Sequence, residues 1–288
     1  MLTTKVSQSA RLWYQNIYQK LQHTIKDPQE CKTITRILLT HYLDYTFTKE
    51  VLDLPLLTTQ DNVRSLWKAV ERLFKHEPIQ YILRSASFCG LELTMRPGVF
   101  IPRSETEELT TFISRQNIQP NPHILDLCTG SGCIALALKR MYKEAVVEAL
   151  DIDPKAIALA SYNAMMLRLP VHFFNLDLLT DPLPNKKWDL IVSNPPYVPM
   201  LEKVSMLPRV LRYEPHRAIF VPDRNPLVFY KKIAQVAQKH LTPQGRLYVE
   251  VHHALANSVA ELFEKINLHC INIYKDLHGK DRWISSIR

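Results

Sequence analysis

Glycine is scarce in this chain, with six in 288 residues. That excludes glycine-rich linkers and repeats, and it makes any clustered pair worth explaining by backbone geometry. Cysteine is also sparse. Five residues, at positions 31, 89, 128, 133 and 270, are odd in number and lack metal-ligand spacing. A disulfide framework and a zinc ribbon are therefore excluded, and reduced, mostly buried thiols are expected. Histidines are scattered, and His252-His253 reads as a helix start, so no metal site is expected. No apolar run approaches the ~20 residues of a membrane span. Met1 to Ala10 is polar and lacks the apolar run of a signal peptide, so a cytoplasmic protein without membrane association is expected. Long basic runs are missing too. The net charge of +8 is spread evenly, with an excess of four basic residues in both 1–90 and 91–288. A nucleic-acid footprint is normally clustered, so direct nucleic-acid binding is not expected.

What is present is a folded composition, 46% apolar and 22% charged, long enough for one ordinary domain and a small one. Two of the few glycines fall in Ile124-Leu125-Asp126-Leu127-Cys128-Thr129-Gly130-Ser131-Gly132-Cys133-Ile134-Ala135. This reads as a strand, a tight turn and a helix start, where backbone N–H groups favour an anionic or polar ligand. Asp151 closes the next strand, Val146 to Leu150, where an acid can accept both hydroxyls of a ribose. Asp177, with Leu178, follows the third strand, Val171 to Asn175, within reach of an adenine. The turn alone also fits the G-x-G-x-x-A variant of the nicotinamide or flavin fingerprint, or a structural strand–helix turn.

The hydrophobic strand Trp188 to Ser193 runs into Asn194-Pro195-Pro196-Tyr197. Two prolines cannot continue a sheet ladder, so the strand stops and a stiff turn follows. It holds an amide, carbonyls and an aromatic ring at the strand's carboxyl end, the edge where open α/β sheets bind ligands. Asn194 Oδ1 and the Pro195 carbonyl can accept two N–H bonds from a planar amide or amino group while Tyr197 covers its flat face. For these four residues alone, a proline-rich loop is the alternative.

Periodicity organises the rest. Helical spacing marks 7–25, 30–46 and 59–75, a small bundle ending near His76. Residues 81–101 read as a hairpin with Gly90 in its turn. From Asn121 strands alternate with helices at about 131–143, 154–168, 226–241 and 253–266, the pattern of a parallel sheet. Tyr248-Val249-Glu250 lies in the fifth strand, and a last strand pair, 268–275 and 282–287, is joined at Gly279.

Asp126 to Ala135, Asp151 and Asn-Pro-Pro-Tyr, in that order, resemble class I S-adenosylmethionine-dependent methyltransferases. Glu77 to Leu83, Phe88, Gly90, Leu91, Phe100-Ile101-Pro102-Arg103, Glu105-Thr106-Glu107 and the tail Lys275 to Arg282 resemble the HemK/PrmC family within them. The resemblance covers about residues 75–288; the part before it is similar in length and helical character. It implies an α/β fold, a Rossmann-like, mostly parallel seven-stranded sheet, with a small all-helical N-terminal domain (1–76) for substrate recognition. A hairpin linker (77–104) and a catalytic domain (105–288) would complete the chain. It implies S-adenosylmethionine as cofactor, held by Asp126, Cys128, Thr129, Gly130, Ser131, Gly132, Asp151, Asp177, Leu178 and Asn194, with Phe100 and Arg103 closing over it. Arg103 could instead pair with Glu105 or Glu107.

The implied reaction is methylation of N5 of a glutamine in peptide chain release factors, by a monomeric enzyme. Asn194, Pro195, Pro196 and Tyr197 would form the acceptor clamp. Positioning would do most of the work, with Tyr197 packing on the glutamine side chain and no strong general base. Several residues depart from the family pattern. Cys128 stands at a common glycine, His252 replaces the glycine after Glu250-Val251, and Phe220 to Pro226 replaces a glycine-rich loop. Cys128 and Arg103-Ser104 resemble the sister branch acting on a ribosomal protein, which stays open beside an adenine-N6 nucleic-acid methyltransferase. A nicotinamide oxidoreductase and a non-catalytic binding module are further alternatives.

Overall fold

A computed structural model describes residues 5–288, which divide into two compact units. The first holds the chain up to Leu83 together with Pro208–Tyr213. Its elements are β1 (Lys5–Ser9), α1 (Ala10–Leu21), α2 (Pro28–Leu43), α3 (Phe47–Val51), β2 (Pro55–Thr59), α4 (Gln60–Phe74) and α5 (Ile79–Leu83). Side-chain caps start the long helices. Ser9 Oγ accepts from Leu12 N (3.2 Å), Asp27 Oδ1 from Gln29 N (2.9 Å) with Pro28 behind it, and Thr59 Oγ1 from Asn62 N (3.2 Å). Each helix then buries one stripe: Trp13, Ile17 and Leu21 from α1, Ile34, Leu38 and Leu39 from α2, and Leu66, Val70 and Leu73 from α4. Burying such a side chain contributes about 1.5–3 kcal/mol, so the shared stripe, not helix propensity, holds this small unit together.

The three long helices stand close to where periodicity puts them, and the unit carries in addition an antiparallel pair. Lys5–Ser9 lies against Pro55–Thr59 in register Lys5↔Thr59. The first helix accordingly starts at Ala10 rather than at position 7. Val6-Ser7-Gln8 has no strong local preference, and its partner lies beyond three helices, so only the assembled bundle selects this pairing.

The second unit spans Arg84–Leu207 and Glu214–Arg288. It begins with a hairpin, β3 (Ser85–Phe88) and β4 (Leu91–Thr94), turning at Cys89-Gly90. Then follow α6 (Ser104–Ser114), β5 (His123–Leu127), α7 (Cys133–Met141), β6 (Val146–Asp151), α8 (Pro154–Leu167), β7 (His172–Asn175) and β8 (Trp188–Ser193). After the short strand β9 (Val198–Pro199), and after helix α9 (Pro208–Tyr213) of the first unit, come β10 (Phe220–Val221), α10 (Val228–His240) and β11 (Leu241–Glu250). Helix α11 (Ala256–Lys265), β12 (His269–Lys275) and β13 (Asp281–Ile287) complete the chain.

Seven strands form one sheet in the order β12-β13-β11-β8-β5-β6-β7. The β11–β8, β8–β5, β5–β6 and β6–β7 pairs are parallel, and β13 and β12 join antiparallel. Both faces are covered, which is why β5 and β8 read as nearly continuous apolar runs. One core packs Ile124, Val147, Leu190 and Val192 with Ile134 and Leu138, and the other packs Leu125, Ile191, Leu247 and Val249 with Ile233 and Phe263. Strand order reverses between β5 and β8, where Leu127 pairs with Ser193. The crevice above this reversal is where such sheets bind ligands. The hairpin assigned to 81–101 contracts to the four-residue strands of β3 and β4, and α3, α5, α6 and α9 are helices the pattern did not resolve.

Asn163, buried on α8, ties the hairpin to the glycine turn. Its Oδ1 accepts from Thr94 N (2.9 Å), and its Nδ2 donates to Ser131 O (3.0 Å) and Thr94 O (3.2 Å). Asn163→Ala would strand three backbone groups, of which the Ser131 carbonyl is buried. We expect a loss of about 3 kcal/mol, read as a lower Tm in thermal unfolding.

Candidate active site

A cavity of about 320 Å³ opens at the carboxyl edge of β5, β6, β7 and β8. Its wall takes Cys128, Thr129, Gly130 and Ser131 from the glycine turn, and Asp151, Asp177 and Leu178 from the ends of the next two strands. Thr106, Asn194, Pro196 and Phe100 complete the part that concerns the chemistry.

The turn explains its own composition. Gly130 and Gly132 have φ of 57° and 83°, left-handed values that disfavour side chains. The two serve different ends. A Cβ on Gly132 would meet Ala160 Cβ at 3.1 Å and Leu136 Cδ1 at 3.2 Å, so this residue lets α7 pack against α8. A Cβ on Gly130 would meet nothing within 4 Å, so its backbone faces open space on the cavity wall. Cys128 also sits at φ 63°, a left-handed value that glycine adopts more readily than cysteine. Burial, with Asp151 and Asp126 nearby, pushes the Cys128 thiol well above its usual range, so it stays protonated and is no nucleophile.

Asp151 Oδ2 accepts from Gly130 N and Oδ1 from Asp153 N, both at 2.9 Å, which points the carboxylate at the turn. Burial raises its pKa. Asp177 Oδ1 accepts from Leu179 N (2.9 Å), and Leu178 is buried beside it. Asp126 stands behind the turn, outside the cavity wall. Its Oδ2 accepts from Thr129 Oγ1 (2.6 Å) and Ala135 N (3.2 Å), and burial pushes its pKa up to about 7. Its task is to hold the turn in shape.

At the far side, Ser193 Oγ donates to Leu127 O (2.8 Å), fixing the start of Asn-Pro-Pro-Tyr against the glycine turn. Asn194 Nδ2 donates to Thr106 Oγ1 (2.9 Å), and Thr106 Oγ1 donates to Glu250 Oε2 (2.6 Å). Tyr197 OH donates to Glu250 Oε1 (2.8 Å), and its ring lies 6.2 Å from that of His252. Asn194 and Pro196 line the cavity; Tyr197 is anchored to Glu250 and braces the turn, rather than lying on the wall where a flat acceptor would stack. Phe100 is on the wall, with the Arg103 guanidinium 4.6 Å from its ring centroid. Arg103 pairs with Glu214 (2.5 Å), which also accepts from Ile101 N. The alternative partners are engaged elsewhere: Glu107 accepts from Cys89 N and Glu105 from Ser104 Oγ.

The residues fit S-adenosylmethionine. Ser131 Oγ is buried at the cavity wall with no hydrogen-bond partner by geometry among the described residues, the Gly130 backbone faces open space, and the wall carboxylates Asp151 and Asp177 are acceptors of the kind that ribose hydroxyls and an adenine amino group require. Thr106 and Glu250 escaped the sequence reading as site residues. A carboxylate ending a buried strand was the available signal, but its partners come from α6 and the proline turn.

Two solved structures share the fold. A methyltransferase from Pyrococcus furiosus aligns with a TM-score of 0.52 at 17% identity, over 69% of this chain and 89% of its own. A Thermus thermophilus 16S rRNA N2 G1207 methyltransferase, solved in complex with AdoMet and guanosine, aligns with a TM-score of 0.50 at 18% identity, over 71% of this chain and 49% of its own. The fold is that of class I S-adenosylmethionine-dependent methyltransferases. Residues 13–83 match the PrmC N-terminal domain and residues 90–212 the Methyltransferase small domain. Proteins named release factor glutamine methyltransferase are similar along most of the chain. One from Bacteroides thetaiotaomicron is 37% identical over 94% of this chain and 98% of its own; one from Lactococcus lactis subsp. lactis is 35% identical over 95% and 99%. The chain belongs to the release factor glutamine methyltransferase family. The nicotinamide and non-catalytic readings fall with that finding.

Gly132→Ala would force a side chain against α8 at a left-handed backbone. We expect a stability loss of about 1–2 kcal/mol together with weaker S-adenosylmethionine binding, read by thermal unfolding and calorimetric titration.

Proposed function

We infer that this enzyme transfers a methyl group from S-adenosylmethionine to the side-chain amide N5 of the glutamine in the Gly-Gly-Gln loop of peptide chain release factors. The relationship to release factor glutamine methyltransferases over nearly the whole chain carries the acceptor assignment. The bound cofactor supplies an activated methyl on a sulfonium, so the protein has no need of a covalent catalyst.

The chain's own residues hold and aim. Gly130, Ser131, Asp151, Asp177 and Leu178 would seat the cofactor, with Phe100 covering it and Arg103 steadying Phe100 from outside the cavity. An amide nitrogen is a weak nucleophile because its lone pair is delocalised into the carbonyl. Asn194 Oδ1 and the Pro195 carbonyl would accept both amide hydrogens, turn the nitrogen toward the methyl and stabilise the positive charge that grows on nitrogen. The prolines keep this frame rigid, so little reorganisation is needed at the moment of transfer. No general base is required if the proton leaves after methyl transfer.

The first helical unit, assigned from the sequence to 1–76, would grip the protein acceptor, with 77–104 leading into the catalytic region from 105. The same reading gives a monomeric enzyme working in the cytoplasm on protein, without direct nucleic-acid contact. It agrees with the evenly spread charge and with the finding that no helix among the described residues is long and apolar enough to cross a membrane.

Labelled S-adenosylmethionine and a purified release factor test the assignment. Label should appear on the factor, vanish with its Gln→Ala version, and fall by about 100-fold or more in rate for Asn194→Ala with cofactor still bound. Label on a ribosomal protein instead would move the enzyme to the sister branch that Cys128 and Arg103-Ser104 resemble.

A further inference from the structure

We propose that Thr106 and Glu250 are positioning residues that set which way round the Asn194 amide faces, and thereby make its oxygen the acceptor for the substrate amide. The inference rests on the clamp assigned to Asn194 above and adds what makes that clamp directional.

An asparagine amide has two ends of similar size and opposite hydrogen-bonding character. Only one orientation is useful here. A substrate –NH₂ needs acceptors, and a flipped Asn194 would present it with another –NH₂. Asn-Pro-Pro-Tyr by itself stiffens the backbone and leaves the outer amide torsion of Asn194 undecided, since such torsions are broad and roughly two-fold.

The hydrogen-bond chain behind the turn decides it. Glu250, fully buried at the end of β11, receives two hydroxyl groups: Thr106 at 2.6 Å on Oε2 and Tyr197 at 2.8 Å on Oε1. With two hydroxyls converging on its oxygens, the ionised form of Glu250 has no proton to give and takes both of theirs. Thr106 Oγ1 then has only lone pairs left for Asn194, 2.9 Å away, and only the –NH₂ end of Asn194 can meet them. Oδ1 is turned away from Thr106, with no partner among the described residues, on a side chain that lines the cavity. Polarity thus passes from a carboxylate through a hydroxyl to an amide, across β11, α6 and the end of β8. Burial leaves the pKa of Glu250 above the ordinary carboxylate value, although the two hydroxyls and the charge of Arg282 oppose that rise. Arg282 is itself held by Asp276 at 3.1 Å.

The arrangement also gives Tyr197 a task away from the substrate's flat face. Its hydroxyl occupies the second carboxylate oxygen, leaving Thr106 a single acceptor to bind. Were Glu250 a neutral amide, its own –NH₂ could point at Thr106. The threonine hydroxyl could then donate to Asn194 Oδ1, and the clamp would invert without any change in shape.

Wild type, Thr106→Val, Thr106→Ser and Glu250→Gln test this, each checked for its Tm and for S-adenosylmethionine affinity. We expect kcat on the release factor to fall about 100-fold in Thr106→Val and Glu250→Gln, with cofactor affinity unchanged. Thr106→Ser, which keeps the hydroxyl, should recover most of the rate. A second readout needs no acceptor. In ¹⁵N-labelled protein the Asn194 side-chain signals are assigned by their loss in Asn194→Ala. One of the two amide protons should exchange slowly in wild type and Thr106→Ser, and neither should in Thr106→Val. Wild-type kcat in Thr106→Val, a serine variant as slow as the valine one, or unchanged amide exchange would each overturn the proposal. Wild-type enzyme that leaves the release factor unlabelled would overturn the acceptor assignment instead, and the exchange measurement then decides the positioning on its own.

Discussion

Everything in the site hangs on the parallel pairing of β5 with β8. Leu127 and Ser193 are register partners, and the Ser193 hydroxyl reaches back to the Leu127 carbonyl at 2.8 Å. One residue further along, the first strand becomes the glycine turn and the second becomes Asn194. The glycine turn and Asn194, far apart in the chain, therefore leave the sheet at the same edge. Because successive residues in a strand alternate faces, a one-residue slip in this pairing would send Asn194 to the wrong side. The apolar cores on both faces of the sheet hold that register.

Around this pairing the chain spends its few glycines narrowly. Five of the six have positive φ, and two of those five form the cofactor turn. Left-handed geometry is needed elsewhere as well, and other residues supply it: Asp44 and Arg168 at helix ends, Asn121 before β5, and Cys128 within the turn itself. Asparagine and aspartate tolerate this conformation better than most side chains. Cys128 is the costlier choice, and its neighbours Asp151 and Asp126 add to burial in suppressing its ionisation. A shortage of glycine thus shifts where strain sits in the molecule while leaving the turn's shape intact.

Buried polar groups do the joining between elements. Asn163 fastens the hairpin to the glycine turn, Asp126 braces the turn from behind, Glu214 holds Arg103 and the backbone at Ile101, and Glu250 gathers Thr106 and Tyr197. Each is a low-dielectric site where a missing partner is expensive, so each narrows the positions its neighbours can take. A reaction that depends on aim more than on acid–base chemistry gains directly from such rigidity.

Local pattern was enough to locate the strands of the seven-stranded sheet, most of the long helices, the glycine turn, the acids that follow it and Asn-Pro-Pro-Tyr. Periodicity, prolines and glycines act on their immediate neighbours and so leave a mark in the sequence. Two strands of the helical unit escaped because Lys5–Ser9 and Pro55–Thr59 are unremarkable until they meet. The partners of Arg103 and Tyr197 escaped for the same reason: Glu214 and Glu250 are distant in sequence and adjacent only once the sheet is assembled. The glycine turn, Asp151, Asp177 and Asn194 could thus be marked out from the sequence alone, whereas Thr106 and Glu250 join them only in the fold. Which way each of them faces was decided by the tertiary structure, because hydrogen-bond direction depends on what the next group in space, rather than the next group in the chain, has left to give.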